Sequence, residues 1–297
     1  MLKFLKNWTL PIAMLVGAVG YPLFICLSFL TPYLIFTMLL LTFCKVSPRD
    51  LKLRPLHVWL LLIQIIGALA AYLLLFRFDK IVAEGVMVCI ICPTATAAAV
   101  ITSKLGGSAA SLTTYTLLAN IGAAIAVPIL FPLVEVHPDV SFLEAFFVIL
   151  SKVFPLLICP FLAAWLLSKC LPKIHRKLLS YHELAFYLWA VSLAIVTAQT
   201  LYSLLNDPAD GFTEIMIAVG ALAACCLQFY FGKRIGSAYN DRISAGQALG
   251  QKNTVLAIWM AVTYLNPLSS VGPGSYVVWQ NIINSWQLWK KRKNEIK

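Results

Sequence analysis

Read as a pattern of apolar and polar positions, the chain is a series of apolar stretches of about twenty residues, the length a helix needs to cross bilayer hydrocarbon. They run over 8–24, 26–44, 56–76, 81–103, 108–134, 141–168, 181–205, 211–235, 240–265 and 271–289, with short polar connectors between them. A helix satisfies its own backbone in hydrocarbon, so the pattern predicts an all-α integral membrane protein of ten transmembrane helices. The connector at 135–139 divides the spans five and five, into 1–134 and 141–290. An odd number of spans per half forces the halves into opposite orientations, so two inverted five-helix repeats are expected.

Two spans are interrupted near mid-depth, at matching places in the halves. Span four contains Cys92-Pro93-Thr94-Ala95-Thr96, and span nine contains Gly246-Gln247-Ala248-Leu249-Gly250-Gln251-Lys252-Asn253-Thr254. A break strands backbone N–H and C=O groups, each costing several kcal/mol if left unsatisfied in hydrocarbon. Chains tolerate this where a partner segment, a water-filled cavity or a ligand takes the groups up. A half-helix starting at a break presents about half a positive charge and free N–H donors. Inverted repeats bring two such ends together from opposite sides, an arrangement that suits an anion. Thr94, Thr96, Asn253 and Thr254 are of the types that cap such ends or hydrogen-bond a ligand. The alternative is a pair of ordinary kinks with threonine back-bonding.

Composition agrees with the pattern. Hydrophobic residues make up 61%, charged residues 12%, and mean hydropathy is +0.85. A soluble domain carries about 25% charged residues, so a mainly water-facing surface is excluded. The net charge of +11 does not indicate nucleic acid, because 19 of the 23 Lys and Arg residues lie at alternate connectors and at the two ends. That asymmetry places both termini in the cytoplasm of a multi-pass cell-membrane protein. The eight cysteines lie mostly within apolar stretches, and Cys89 and Cys92 have neither a second pair nor a nearby histidine. They read as small packing residues, and no metal or cofactor is expected. Without an HExxH, GxSxG or Gly-rich phosphate loop, the chain is not expected to be an enzyme. The apolar run after Lys3 and Lys6 reads as a first span rather than a cleaved leader.

At the two interruptions the sequence resembles the bile acid:sodium symporter superfamily. The family pattern in span four, roughly Cys-Pro-Gly-Gly-Thr-Ala-Ser-Asn, is met by Cys92-Pro93-Thr94-Ala95-Thr96-Ala97-Ala98-Ala99. Its Glu-x-Gly-x-Gln-Asn is met by Ala248-Leu249-Gly250-Gln251-Lys252-Asn253, and its Val-Trp-His-Asn by Val278-Trp279-Gln280-Asn281. The resemblance implies a core of spans three to five and eight to ten, moving against a panel of spans one, two, six and seven. The crossing would then be exposed alternately to each side. Positions that furnish sodium ligands in the family are Ala98, Ala99, Ala248 and Lys252 here. Thr116 matches one remaining ligand, and a single hydroxyl cannot replace an ion's hydration. These positions are therefore expected to be vestigial, and operation to be sodium-independent. Gln280, at the family's substrate-side histidine, joins the candidate substrate residues.

Lys252 is the sharpest residue. An ammonium at mid-membrane costs a few kcal/mol, which makes it a functional candidate. At a sodium-ligand position it would replace the bound cation, pair with a substrate carboxylate, or carry a proton. A structural counter-charge held by half-helix carbonyls is the competing reading. Lys152, deep in span six, is expected either to line the cavity between panel and core as an anion attractor or to bend onto carbonyls. His57 and Glu84 sit near span ends and are expected to be solvated or interfacial. Asn120 and Gln199 are expected to bond between helices, and 290–293 to anchor on anionic lipid. The leading expectation is secondary transport of a small organic anion, a carboxylate or bile-acid-like molecule, by alternating access, either coupled to a proton through Lys252 or as an uncoupled facilitator. A cation/proton antiporter would need a buried carboxylate near the breaks, and none lies there. A non-transporting sensor or channel is the remaining alternative.

Overall fold

The computed structural model describes residues 2–46, 51–95, 97–136, 139–181, 183–206 and 211–295. Every named element is helical. In chain order they are α1 (Leu2–Val19), α2 (Tyr21–Cys26), α3 (Thr31–Cys44), α4 (Pro55–Leu75), α5 (Lys80–Ile91), α6 (Ala98–Leu105) and α7 (Ala109–Val134). There follow α8 (Phe142–Cys170), α9 (Pro172–Ser180), α10 (Leu184–Asn206), α11 (Gly211–Ala238), α12 (Arg242–Gly250), α13 (Thr254–Tyr264) and α14 (Val271–Glu295). Short 3-10 turns precede α3 at Ser28–Leu30 and α14 at Pro267–Ser270. Among the described residues, five helices, α4, α7, α8, α10 and α11, are each long and apolar enough to cross a membrane. Large apolar side chains such as Leu15, Ile66, Leu74, Val148 and Ile215 face outward, as lipid rather than water would allow.

Two differences from the sequence pattern have local causes. The second apolar stretch begins as helix only at Thr31, because Pro32 lacks an N–H and fits a first turn rather than an interior. The connector after α8 is itself a helix, α9, whose Lys173, Arg176 and Lys177 follow a proline start. Its His175 bonds the Cys44 carbonyl at 3.0 Å, at the end of α3.

Packing joins α1 to α10 and α3 to α8, with α10 also against α3. Separately, α4 packs on α5 and α7, while α11 packs on α12, α5 and α14. Helix α7 is the most enclosed of the long helices, with Ala119, Ala123, Ala124 and Val127 fully buried. Backbones approach closely at Gly17 of α1, where a Cβ would stand 2.3 Å from the Ala194 carbonyl oxygen of α10, and at Gly232 of α11, where it would stand 2.4 Å from the Ala245 carbonyl oxygen of α12.

Two residues expected near water are buried. His57 is 1% exposed and Glu84 0%. Neighbouring helix ends close over each of them, a consequence of packing that position along a span does not reveal. Lys152 is a second correction: it is exposed on α8 and is not among the residues lining the cavity described below. Its helix turns that face outward, while Val153, Leu156 and Leu157 carry the buried face.

Candidate functional site

Both interrupted stretches are broken helices, and they meet. Helix α5 ends at Ile91 and α6 begins at Ala98, while α12 ends at Gly250 and α13 begins at Thr254. The extended residues between run antiparallel and pair at Thr94 and Lys252. Ala95 N–H donates to the Gln251 carbonyl at 2.9 Å, and Asn253 N–H to the Pro93 carbonyl at 2.9 Å. Each break thus supplies the other's stranded backbone with partners, which removes most of the cost of interrupting a helix in an apolar interior.

The carbonyls at the ends of the first half-helices are taken by side chains from elsewhere. At α5, Gln228 Nε2 reaches the Cys89 oxygen at 3.4 Å, Lys252 Nζ the Ile90 oxygen at 2.8 Å, and Gln64 Nε2 the Ile91 oxygen at 2.7 Å. At α12, the Thr94 hydroxyl donates to the Ala248 oxygen at 2.7 Å and the Tyr276 hydroxyl to the Gly250 oxygen at 2.9 Å. Gln280 closes the junction, its Oε1 accepting from Lys252 N–H at 2.8 Å. The Lys252 ammonium, 1% exposed, therefore sits on the negative end of α5 and ties the two breaks together.

Beside the crossing lies a cavity of about 750 Å³. At its inner end stand Ala97 and Ala99 at the start of α6, Asn253 and Thr254 at the start of α13, and Gln251, Gln280 and Asn281. Its walls include Leu39 and Phe43 of α3 and Phe186 and Trp189 of α10. Lys45 and Lys104 stand at the end where the basic connectors lie. Among the described lining residues the charged ones are Lys45, Lys104 and Lys252, with no carboxylate. Among the described residues no side chain caps the start of α6, while at α13 the Asn253 side chain accepts from Leu256 N–H at 3.3 Å.

The candidate residues divide accordingly. Asn253, Thr254, Gln280, Lys252, Ala99 and Thr116 line the cavity, although the Thr116 hydroxyl is spent on the Leu112 carbonyl of its own helix. Thr94 does not line it; its hydroxyl caps α12, which corrects a ligand-binding role to a backbone one. Ala98 and Ala248 are buried in the packing around the crossing. Thr96 lies outside the described residues. Asn120 bonds within α7, to the Thr116 carbonyl, rather than between helices. Sequence reasoning missed Gln64, Gln228 and Tyr276, whose partners are distant in sequence, and the aromatic wall of α10.

A second, partly buried polar group joins the start of α4 to α7 and α12. Arg54 donates to Asp241 Oδ2 at 3.1 Å and to the Tyr239 carbonyl at 2.8 Å. Because Arg54 N–H donates to His57 Nδ1, the hydrogen sits on His57 Nε2 and points at Ser111 Oγ, 3.0 Å away. The Ser111 hydroxyl in turn donates to Asp241. Hydrogen bonds therefore run from imidazole through serine to carboxylate, opposite to what a nucleophilic serine requires. Among the described residues, no three of His, Cys, Asp and Glu gather as a metal site would need. Compared with known proteins, the chain matches no family model and no curated sequence.

Proposed function

We propose that the protein is a secondary transporter of a small organic anion, working by alternating access without sodium. In this reading it is an atypical member of the bile acid:sodium symporter superfamily, with ten spans in two inverted repeats and both ends in the cytoplasm. The observation that carries the proposal is the cavity. Its charged lining is wholly cationic, and two half-helix starts stand at its inner end. Such a site favours a carboxylate or another anion through dipole and donor alike. The amides of Asn253 and Gln280 and the Thr254 hydroxyl supply orientation; Phe43, Phe186 and Trp189 supply apolar contact for the rest of the molecule.

The packing supports the repeats. The pairing of α1 with α10 is the counterpart of α3 with α8, and α4 on α5 and α7 is the counterpart of α11 on α12 and α14. The panel is then α1, α3, α8 and α10, and the core carries the crossing. At the end away from the basic connectors, α10 packs on α13 and on the 267–270 turn, which leaves the cavity open toward the cytoplasm. Lys252 takes the place of a bound cation as a tethered one. When protonated it neutralises the end of α5, where the resemblance implies that relatives bind sodium.

The test is thermal stabilisation of the purified protein by a panel of organic acids, with and without sodium. A ligand present at about 100 times its Kd stabilises by about 2.7 kcal/mol. Stabilisation by at least one acid, equal in sodium and potassium buffers, is the expected result. Stabilisation that requires sodium overturns the tethered-cation reading, and stabilisation by cations alone overturns the anion reading.

A further inference from the structure

Helix α5 also carries a fully buried carboxyl that the crossing does not use. Glu84 is 0% exposed. Its Oε2 accepts from Asn266 N–H at 3.1 Å, at the turn that follows α13. Its Oε1 is buried and, among the described residues, has no hydrogen-bond donor. The nearest cation, Lys80 Nζ, stands 3.7 Å away and is drawn instead to Glu135 at the end of α7, with which it forms a close ion pair. Two carboxylates therefore share one ammonium, and the inner of the two keeps a buried oxygen that, among the described residues, receives no hydrogen bond. Among the described residues, the charged or titratable groups facing Glu84 are Lys80, Glu135 and Tyr72 of α4. Asp79, just before α5, is already engaged by Val82 N–H at 2.9 Å and the Thr213 hydroxyl at 3.2 Å. The turn that offers Asn266 carries two more fully buried hydroxyls without partners among the described residues, Ser269 and Ser270.

We propose that Glu84 is a proton-binding site, taking up and releasing one proton where the outer end of α5 meets the turn after α13. With Glu84 ionised the cluster carries one uncompensated negative charge. A buried charge of that kind is costly unless paired. Adding a proton cancels the charge and gives Oε1 a hydrogen to donate, so no other ion is needed. Lys80 and Glu135, partly exposed, connect the buried carboxyl to the outer surface. Position matters as much as charge. Ile90, whose carbonyl holds the Lys252 ammonium, lies six residues further along α5, or about 9 Å at the helical rise. One half-helix thus has the proton site near its outer end and the tethered ammonium at its inner end. The turn carrying Asn266 belongs to the other broken helix. A proton at Glu84 consequently biases how both broken helices sit at the outer closure. The use of that proton to couple transport rests on the function proposed above; the proton site itself does not.

Two measurements on the full-length purified protein, both without substrate, test the site. In the first, wild type is treated with dicyclohexylcarbodiimide, an apolar reagent that attacks protonated carboxyls, at roughly pH 5.5 and pH 9, and peptides are analysed by mass spectrometry. Modification at Glu84 that falls about tenfold or more at the higher pH is expected. No modification at either pH, or equal modification at both, overturns the proposal. In the second, unfolding temperature is followed over the same range. Stability in wild type should fall as pH rises and the proton is lost, whereas Glu84→Gln, which mimics the protonated state, should show a flat profile. Equal slopes in the two proteins overturn the proposal, and the labelling experiment decides alone if Glu84→Gln does not fold. A protein that passes both tests yet binds no organic anion would overturn the transport reading and leave the proton site standing.

Discussion

Lys252 illustrates how two opposing energies meet in one side chain. Placing an ammonium at mid-membrane costs about 3 kcal/mol on insertion scales. Its bond to the Ile90 carbonyl offsets part of that, because a buried carbonyl left without a donor costs about 1–3 kcal/mol. Lys252→Met removes both effects together, so folding stability should change by less than about 2 kcal/mol in either direction. Anion binding should respond differently, falling tenfold or more, because among the described lining residues Lys252 is the cation beside the two half-helix starts. Thermal unfolding with and without ligand separates these outcomes. Loss of stability with affinity retained would make Lys252 a purely structural counter-charge. Thr94 lies at the opposite extreme. Its hydroxyl is fully occupied by the Ala248 carbonyl, so it contributes to the shape of the crossing rather than to ligand chemistry.

At the scale of elements, the crossing depends on helices that approach one another backbone to backbone. Glycine to alanine inside a helix normally gains up to about 1 kcal/mol from propensity. At Gly67 of α4 the added Cβ would meet Ile90 Cγ2 at 3.8 Å, an ordinary contact, so Gly67→Ala should be neutral or stabilising by up to about 1 kcal/mol. At Gly232 the same atom would lie 2.4 Å from the Ala245 carbonyl oxygen, a backbone atom that cannot swing aside. Gly232→Ala should therefore destabilise by about 1–3 kcal/mol, the usual penalty of overpacking, despite its better propensity. Comparing the unfolding temperatures of the two variants checks this. The reverse order would mean that α12 is free to shift away from α11.

For the whole molecule, the proposed orientation can be read from cysteines already present. Cys26 follows the first apolar stretch and Cys170 ends α8, and both are exposed. With both termini cytoplasmic, Cys26 falls on the outer side and Cys170 on the inner. A membrane-impermeant maleimide should label Cys26 from outside and Cys170 only in inverted vesicles. Labelling of both from the same side would remove the ten-span arrangement, and with it the assignment of the cavity mouth at Lys45 and Lys104 to the cytoplasm.

What the sequence determines by itself is what depends on runs of neighbouring residues. Apolar length and charge placement give the membrane class, because hydrocarbon admits helices of a set length and holds back lysine and arginine. Pro93 and the polar run from Gly246 to Asn253 mark the two interrupted spans, although the helix persists through Gly250 and the second break itself is confined to Gln251, Lys252 and Asn253. Lys252 stands out for the same reason, as a charge where charge is costly. The tertiary structure alone decides what those features touch. The Lys252 ammonium is committed to the Ile90 carbonyl, and the cavity wall comes from α3 and α10. Lys152 turns outward, while His57 and Glu84 turn inward. Burial is a property of a helix face against its neighbour, and which faces meet is settled by close packing between segments far apart in the chain.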